Sequence, residues 1–264
     1  MGTYKAQFIS MIIMIALGIG IFIGFNIEWY SLEKNTDSFL RETNFADYRI
    51  VSESGFSADD VQNVLSVDGV KAASRFISVN ADVKERDGDS VALTVTENPD
   101  VSSFITVDGD GYDPDSTDGI WVSKKYADAN GIAVGDTLTF VYRNAEITGK
   151  VCGLIRAGEY LICVRDETQL MPDPDTYGFA YISPAMMKDA LGFEFYPQIN
   201  VISDMDKKAF TDKVDDKLDR TLLILSKDEN ISYAGADGEI EEGKTMGSVL
   251  PVLFLLIAVL TMVT

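Results

Sequence analysis

Histidine is missing from all 264 residues, which excludes imidazole-based triads, histidine metal sites and histidine pH switches. Cysteine is almost as scarce. Cys152 and Cys163 are the only two, and they cannot form a structural zinc site without other ligands. No Walker loop occurs, so the chain is not itself an ATPase, and no cofactor or metal is expected in it. Basic residues are outnumbered 22 to 42 by acidic ones. The net charge of −20 argues against nucleic acid and against adhesion to anionic lipid through a basic surface. No nucleophile–base pair can be assembled from what remains, so an enzyme is not expected.

Charge itself is absent from two long stretches. Phe8 to Ile27, FISMIIMIALGIGIFIGFNI, is twenty residues without a charge, enough for about 30 Å of helix. Met246 to Thr264 adds nineteen more. Between them lie all 42 carboxylates and 21 of the basic residues. This pattern predicts two transmembrane helices, 8–27 and 246–264, around one acidic water-soluble domain. A cleaved signal is the rival reading of the first run, but it is long for one and no small-x-small site follows it. Glu28, Trp29 and Tyr30 follow instead, an aromatic pair suited to a membrane interface. Lys5, the only charge on the short flank, puts the N-terminus in the cytoplasm and the large domain outside. The last run also resembles a GPI-anchor signal after the small residues Ala234, Gly235 and Ala236. That reading needs a cleavable first run, and Pro251 is more at home in a polytopic helix. Since nothing follows the apolar run, the chain is expected to be one piece of a longer protein or to carry a removable signal.

The segment between the runs reads as α+β. A stalk over 28–46 precedes a strand at Asp47 to Glu53. Ser57 caps a helix with Asp60 in the capping-box position, and Val61, Val64 and Leu65 give it an apolar face. Val70 to Val83 and Ser90 to Thr96 are strands joined by a turn at Arg86 to Asp89. From Asn98 the texture turns to Gly, Asp and Pro. A short strand at Ile120 to Val122 then leads to a helix capped by Ser123 and ended by Gly131. IAVGDTLTFVYRNAEITGKVCGLI alternates as a hairpin about Arg143-Asn144, and EYLICV is read as a further strand. Ser183-Pro184 opens a helix closed by Gly192. Gln198 to Ser203 and Thr221 to Leu225 are extended, around a helix near Asp206 to Arg220 whose apolar stripe is Phe210, Val214 and Leu218.

Strand-helix-strand units at both ends, with a β-rich block between, predict two lobes. The membrane-proximal α/β lobe is discontinuous, 47–97 plus 193–232, and 98–192 is a β-rich lobe inserted into it. Residues 233–245 are read as an acidic linker or second stalk.

Few residues invite a site. Gly18, Gly20 and Gly24, with a GxxxG in Gly20 and Gly24, suit close helix packing in a membrane bundle, although glycine is common in membrane helices anyway; Pro251 joins them as a candidate packing position. Cys152 and Cys163 flank Ala157-Gly158 symmetrically. A hairpin turning there would set them opposite each other, as a disulfide or as two buried thiols. Asp108, Asp110, Asp113, Asp115 and Asp118 suggest calcium, but counting from Asp113 the sixth and twelfth loop positions hold Asp118 and Lys124, not Gly and Glu. A solvated acidic turn is the plainer reading.

Read in order, several phrases resemble one family. IALGIGIFIGF resembles the glycine-bearing first helix of FtsX-like/MacB-type ABC transporter permeases. DGIWVSKKYADANGIAVGDTLTF, with its turn at Gly135-Asp136, resembles a block of their extracytoplasmic domain. AGEYLICVRD, PDPDTYGFAYIS and YPQINVI are similar to phrases of Gram-positive-type members, and PVLFLLIAVLTM to the start of the second membrane helix. The resemblance implies the N-terminal part of a multi-pass cell-membrane permease, lacking later helices. It implies partners: a cytoplasmic ABC ATPase subunit that binds the ATP, the remaining permease helices or a second permease copy, membrane lipid, and an extracytoplasmic substrate or protein of unknown identity. ATP-driven motion would pass through the stalks to the outer domain, by mechanotransmission, to move or release a substrate or regulate a partner. The alternative is a membrane-anchored binding or receptor ectodomain with no motor.

Overall fold

The computed structural model describes residues 2–263 apart from Glu167, Leu170, Phe193 and Asp219, and the side chains of that set except 2–4, 6, 7, 258 and 261–263. The chain divides into two compact units, residues 1–38 with 235–264 and residues 39–234.

The first unit is made of two long helices, α1 (Gly2–Glu42) and α6 (Ile231–Val263), for most of their length. Among the described residues, Phe8–Glu42 is the one helix long and apolar enough to cross a membrane. The second predicted span lies partly outside the described residues, including Thr264. Within this unit the helices run antiparallel. A Cβ on Gly18 would meet Phe254, one on Gly247 would meet Phe25, and Gly243 lies against Trp29. The Lys244 ammonium pairs with Glu33 at 3.0 Å. The segment read as a linker or stalk, 233–245, is continuous helix.

The second unit is built on one ten-stranded sheet. Its strands are β1 (Tyr48–Val51), β2 (Val70–Val83), β3 (Ser90–Thr96), β4 (Phe104–Gly109), β5 (Gly119–Ser123), β6 (Thr137–Tyr142), β7 (Ala145–Ala157), β8 (Tyr177–Ile182), β9 (Gln198–Ser203) and β10 (Leu223–Ser226). The order is β10-β1-β9-β2-β3-β8-β5-β7-β4, with β6 bridging β2 and β7. Among the described residues, only the β3–β8 and β5–β7 pairs are parallel. The helices are α2 (Ala58–Leu65), α3 (Lys124–Asn130), α4 (Pro184–Leu191) and α5 (Lys207–Asp215).

Local chemistry accounts for the helix ends. At α2, Ser57 Oγ accepts from the Asp60 N–H while Asp60 Oδ2 accepts from the Ser57 N–H at 2.7 Å. Ser123, Ser183 and Asp206 cap α3, α4 and α5 with a single bond each, accepting from the N–H of Tyr126, Met186 and Ala209. Gly131 and Gly192 end α3 and α4 at φ of 67° and 73°, left-handed values that a Cβ disfavours.

Three apolar cores sit on the sheet. One gathers Tyr48, Ile50, Val64, Ile199, Phe210 and Val214, so α2 and α5 cover β1, β9 and β10. Phe210 is fully buried and stacks on Tyr48 at 4.1 Å. A larger core gathers Val91, Leu93, Val95, Ile120, Phe140, Ala180, Ile182 and Met186. The third, aromatic, holds Trp121, Tyr177, Phe179 and Tyr181. Strand β8 alternates between the last two: Ala180 and Ile182 face one, while Tyr177, Phe179 and Tyr181 face the other. It is buried throughout, as is its neighbour β3.

Two local expectations need correction. EYLICV is not a strand: Gly158–Tyr160 is a turn of 3-10 helix, and among the described residues no strand follows until β8. At this turn the Glu159 side chain is buried and the Tyr160 ring stacks on Phe179. The Gly-, Asp- and Pro-rich stretch contains β4, whose Gly109 takes a φ of 86° where a Cβ would overlap the Cys152 carbonyl oxygen. Strand β8, within PDPDTYGFAYIS, to which the sequence reading assigned no element, is central in the sheet.

Candidate functional site at the helix roots

The positions singled out for helix packing separate into two sets. Gly18 and Pro251 line one apolar hollow with Phe22 and Phe254, and the missing side chain of Gly18 lets Phe254 approach. Gly20 and Gly24 have no neighbour within 4 Å of where a Cβ would stand. Cys152 and Cys163 are free thiols. The hairpin that would set them opposite each other does not form, since the 3-10 turn follows β7 directly. Both pack on the aromatic core, and burial pushes the Cys163 thiol up to about 12, which keeps it protonated at neutral pH. The five aspartates from Asp108 to Asp118 do not converge: among the described residues no three His, Cys, Asp or Glu side chains could hold a metal ion.

A different set of residues converges, and no motif announced it. Where α1 ends, Thr43 is fully buried and its hydroxyl donates to the Phe39 carbonyl at 2.9 Å. The next residue, Asn44, has a φ of 48°. Its carbonyl accepts from the Ser102 N–H at 2.7 Å, and the Thr43 carbonyl accepts from the Ser103 N–H at 2.8 Å. Ser102 is itself left-handed, at a φ of 51°. Two of the three described non-glycine residues with positive φ therefore face each other across one pair of backbone strands.

Glu159 is the centre of this junction. Its side chain is 4% exposed and pairs with Arg49 of β1. Ser102 Oγ donates to its Oε1 at 2.7 Å, and Asn230 Nδ2 to its Oε2 at 3.3 Å. Ser102 Oγ in turn accepts from Asn200 Nδ2 of β9 at 2.6 Å. At the start of α6, the Ser232 hydroxyl lies 2.9 Å from the Glu159 carbonyl oxygen and 3.0 Å from that of Ile162. Phe45 and Tyr233 stack at 6.2 Å beside this network. Gly158 completes the fit, because a Cβ there would come within 2.5 Å of Thr43 Oγ1.

A buried carboxylate is tolerated only with full partnering, and here a guanidinium, a hydroxyl and an amide supply it. The partners come from β1, the 97–103 loop and Asn230, the residue before α6. One side chain thus ties the end of α1 to the beginning of α6 through the sheet. Such an arrangement can transmit displacement or resist it.

No family model and no curated protein matches the sequence. Solved structures similar to the chain include an extracellular domain and a periplasmic region. One is the extracellular domain of the noncanonic ABC-type transporter YknZ from Gram-positive bacteria, at 13% identity and a TM-score of 0.46, covering 66% of this chain and 90% of that one. Another is the periplasmic region of MacB from Actinobacillus actinomycetemcomitans, at 12% identity and a TM-score of 0.45, covering 76% of this chain and 95% of that one.

Proposed function

We propose that the chain is part of a permease subunit of an ABC transporter, a multi-pass cell-membrane protein whose acidic domain lies outside the cytoplasm. In this reading the domain is not an enzyme and receives motion through α1 and α6. The observation that carries the reading is the junction: the C-terminal end of α1 and the N-terminal end of α6 share one buried ion-paired network. Relative movement of the two helices must either break those hydrogen bonds or move the strands that hold them. The family phrases of the sequence and the charge-free runs supply the rest of the support. ATP would be bound by a separate cytoplasmic subunit, and further permease helices or a second copy would meet the open faces of Gly20 and Gly24.

The two-lobe division also belongs to this proposal. Every residue of the Phe210 core comes from 47–97 or 193–232, so that core could be assembled from the two ends of the segment alone.

The test is a spin-label distance between residues 35 and 241 in a complex with its ATPase, with and without trapped ATP. A shifted distance distribution is expected. An unchanged one in a complex that hydrolyses ATP would favour the alternative, a membrane-anchored binding ectodomain without a motor.

A further inference from the structure

Within residues 39–234 a cavity of about 300 Å³ opens beside the aromatic core. That is the lower end of the range for small-molecule sites. Its apolar lining includes Ile155, Tyr160, Phe179 and Cys163, with Tyr160 and Phe179 stacked at 4.4 Å. The Tyr160 hydroxyl is held by Ser78 at 2.7 Å and by Thr94, which leaves the ring to serve as wall. The protonated Cys163 thiol adds an uncharged, polarizable surface.

The lining also carries three cations, Lys124, Lys125 and Arg156. Lys124 is paired with Asp128 one helical turn on. Lys125 and Arg156 are exposed and make no ion pair or side-chain hydrogen bond among the described residues. Carboxylates outnumber cations almost two to one in this chain, so two unpaired cations at the mouth of one apolar cavity run against its overall charge. Their chemistry is selective. A guanidinium and an ammonium on one cavity lining attract a carboxylate or phosphate, and the apolar wall takes an aliphatic or aromatic body.

We infer that this cavity binds a small anionic amphiphile, one apolar chain bearing a single carboxylate or phosphate, with Lys125 and Arg156 at the head group and Tyr160 and Phe179 against the chain. This goes beyond the transport reading and does not depend on it. The two sites nevertheless share a turn: Tyr160 lines the cavity and Glu159, the preceding residue, anchors the helix-root network.

The experiment uses the full chain carrying Cys152→Ser, in lipid nanodiscs, with Cys163 as the reporter. Modification by methyl methanethiosulfonate, a small neutral reagent, is timed by mass spectrometry with octanoate, octyl phosphate or octanol present. Octanoate or octyl phosphate is expected to slow the modification, and the better of the two identifies the head group. Octanol should need about tenfold more for the same protection, since it lacks the charge-assisted contacts. The double variant Lys125→Gln, Arg156→Gln should modify more slowly without probe, because Lys125 favours the Cys163 thiolate, and, measured against its own unprobed rate, should lose the preference for the anions. Failure of both anions to protect, equal protection by octanol, or an unchanged preference in the double variant would each overturn the assignment.

Discussion

The helix-root junction and the apolar cores are equally dry, but different forces hold them. Thr43, Asn200, Leu93 and Phe210 are all fully buried. Around Leu93 and Phe210 the contacts are non-directional, and removing atoms costs in proportion to the area and cavity lost. Around Glu159 the contacts that hold the carboxylate are directional, and removing one partner leaves buried polar groups unpaired, Arg49 alone keeping some exposure. A packed core therefore loses stability by degrees, whereas a polar network gives way at whichever partner is removed. The second behaviour suits a place where two helices must report on each other.

The broadest way to break this comparison is to remove 98–192 and join the ends with a short Gly/Ser linker. The Phe210 core keeps all its members, while β3 loses its partner β8 and Glu159 disappears from the junction. A cooperative thermal transition at a lower temperature is expected. Loss of any cooperative transition would show that the apolar core cannot stand without the network and the inserted block, and would end the two-lobe proposal.

Phe210→Ala tests the apolar side alone. With the ring fully buried against Tyr48, a loss of about 3 to 5 kcal/mol is expected in urea titrations of the chain in mild detergent. A loss below about 1 kcal/mol would mean that the stripe is not the core it is taken for.

Glu159→Leu tests the polar side. It leaves Arg49 and Asn230 without their carboxylate, and about 2 to 4 kcal/mol is expected, reduced from the fully buried case because Arg49 keeps some exposure. The distinguishing result is the double variant Arg49→Met, Glu159→Leu, which should regain part of that loss, as paired removal of opposite charges does. Strict additivity of the two substitutions would break the comparison, since uncoupled sites behave like independent packing contacts.

The smallest expected effect is at Asp60, which combines a capping box with an ion pair. Burial would raise its pKa, but hydrogen bonds from Ser57 and the adjacent Arg220 guanidinium outweigh this and hold it below the ordinary carboxylate value. A depressed folded-state pKa contributes stability above the unfolded value, and this is lost as pH falls through the folded one. Asp60→Asn keeps the cap acceptor and loses the charge, so about 1 kcal/mol is expected at pH 7. The difference from the parent chain should shrink as pH falls from about 5 towards 2. A difference that stays constant over that window would assign the effect to packing.

Much of the fold was open to reading because it is locally encoded. The limits of β2 and β3 follow from β-branched alternation ended by a Gly-Asp turn, and the caps Ser57, Ser123, Ser183 and Asp206 from the need to satisfy free N–H groups. Strand β8 carried a usable signal, since large aromatic residues alternate with Gly178, Ala180 and Ile182. Only the acidic, Pro-containing sequence before it obscured the pattern. Strand β4 ends among aspartates and glycines, which read as a turn because its outer half is exposed.

By itself the sequence determined the two charge-free runs, the acidic segment between them, the helix caps and most strand limits, because each depends on residues a few positions apart. Tertiary structure alone decided that Gly158 to Tyr160 would turn rather than extend, and that Glu159 would meet Arg49, Ser102 and Asn230. Those partners lie 110, 57 and 71 residues from it along the chain. The physical reason is that periodicity records which face of an element leaves water, whereas a hydrogen-bond partner is chosen by geometry that exists only once the strands have been ordered in the sheet.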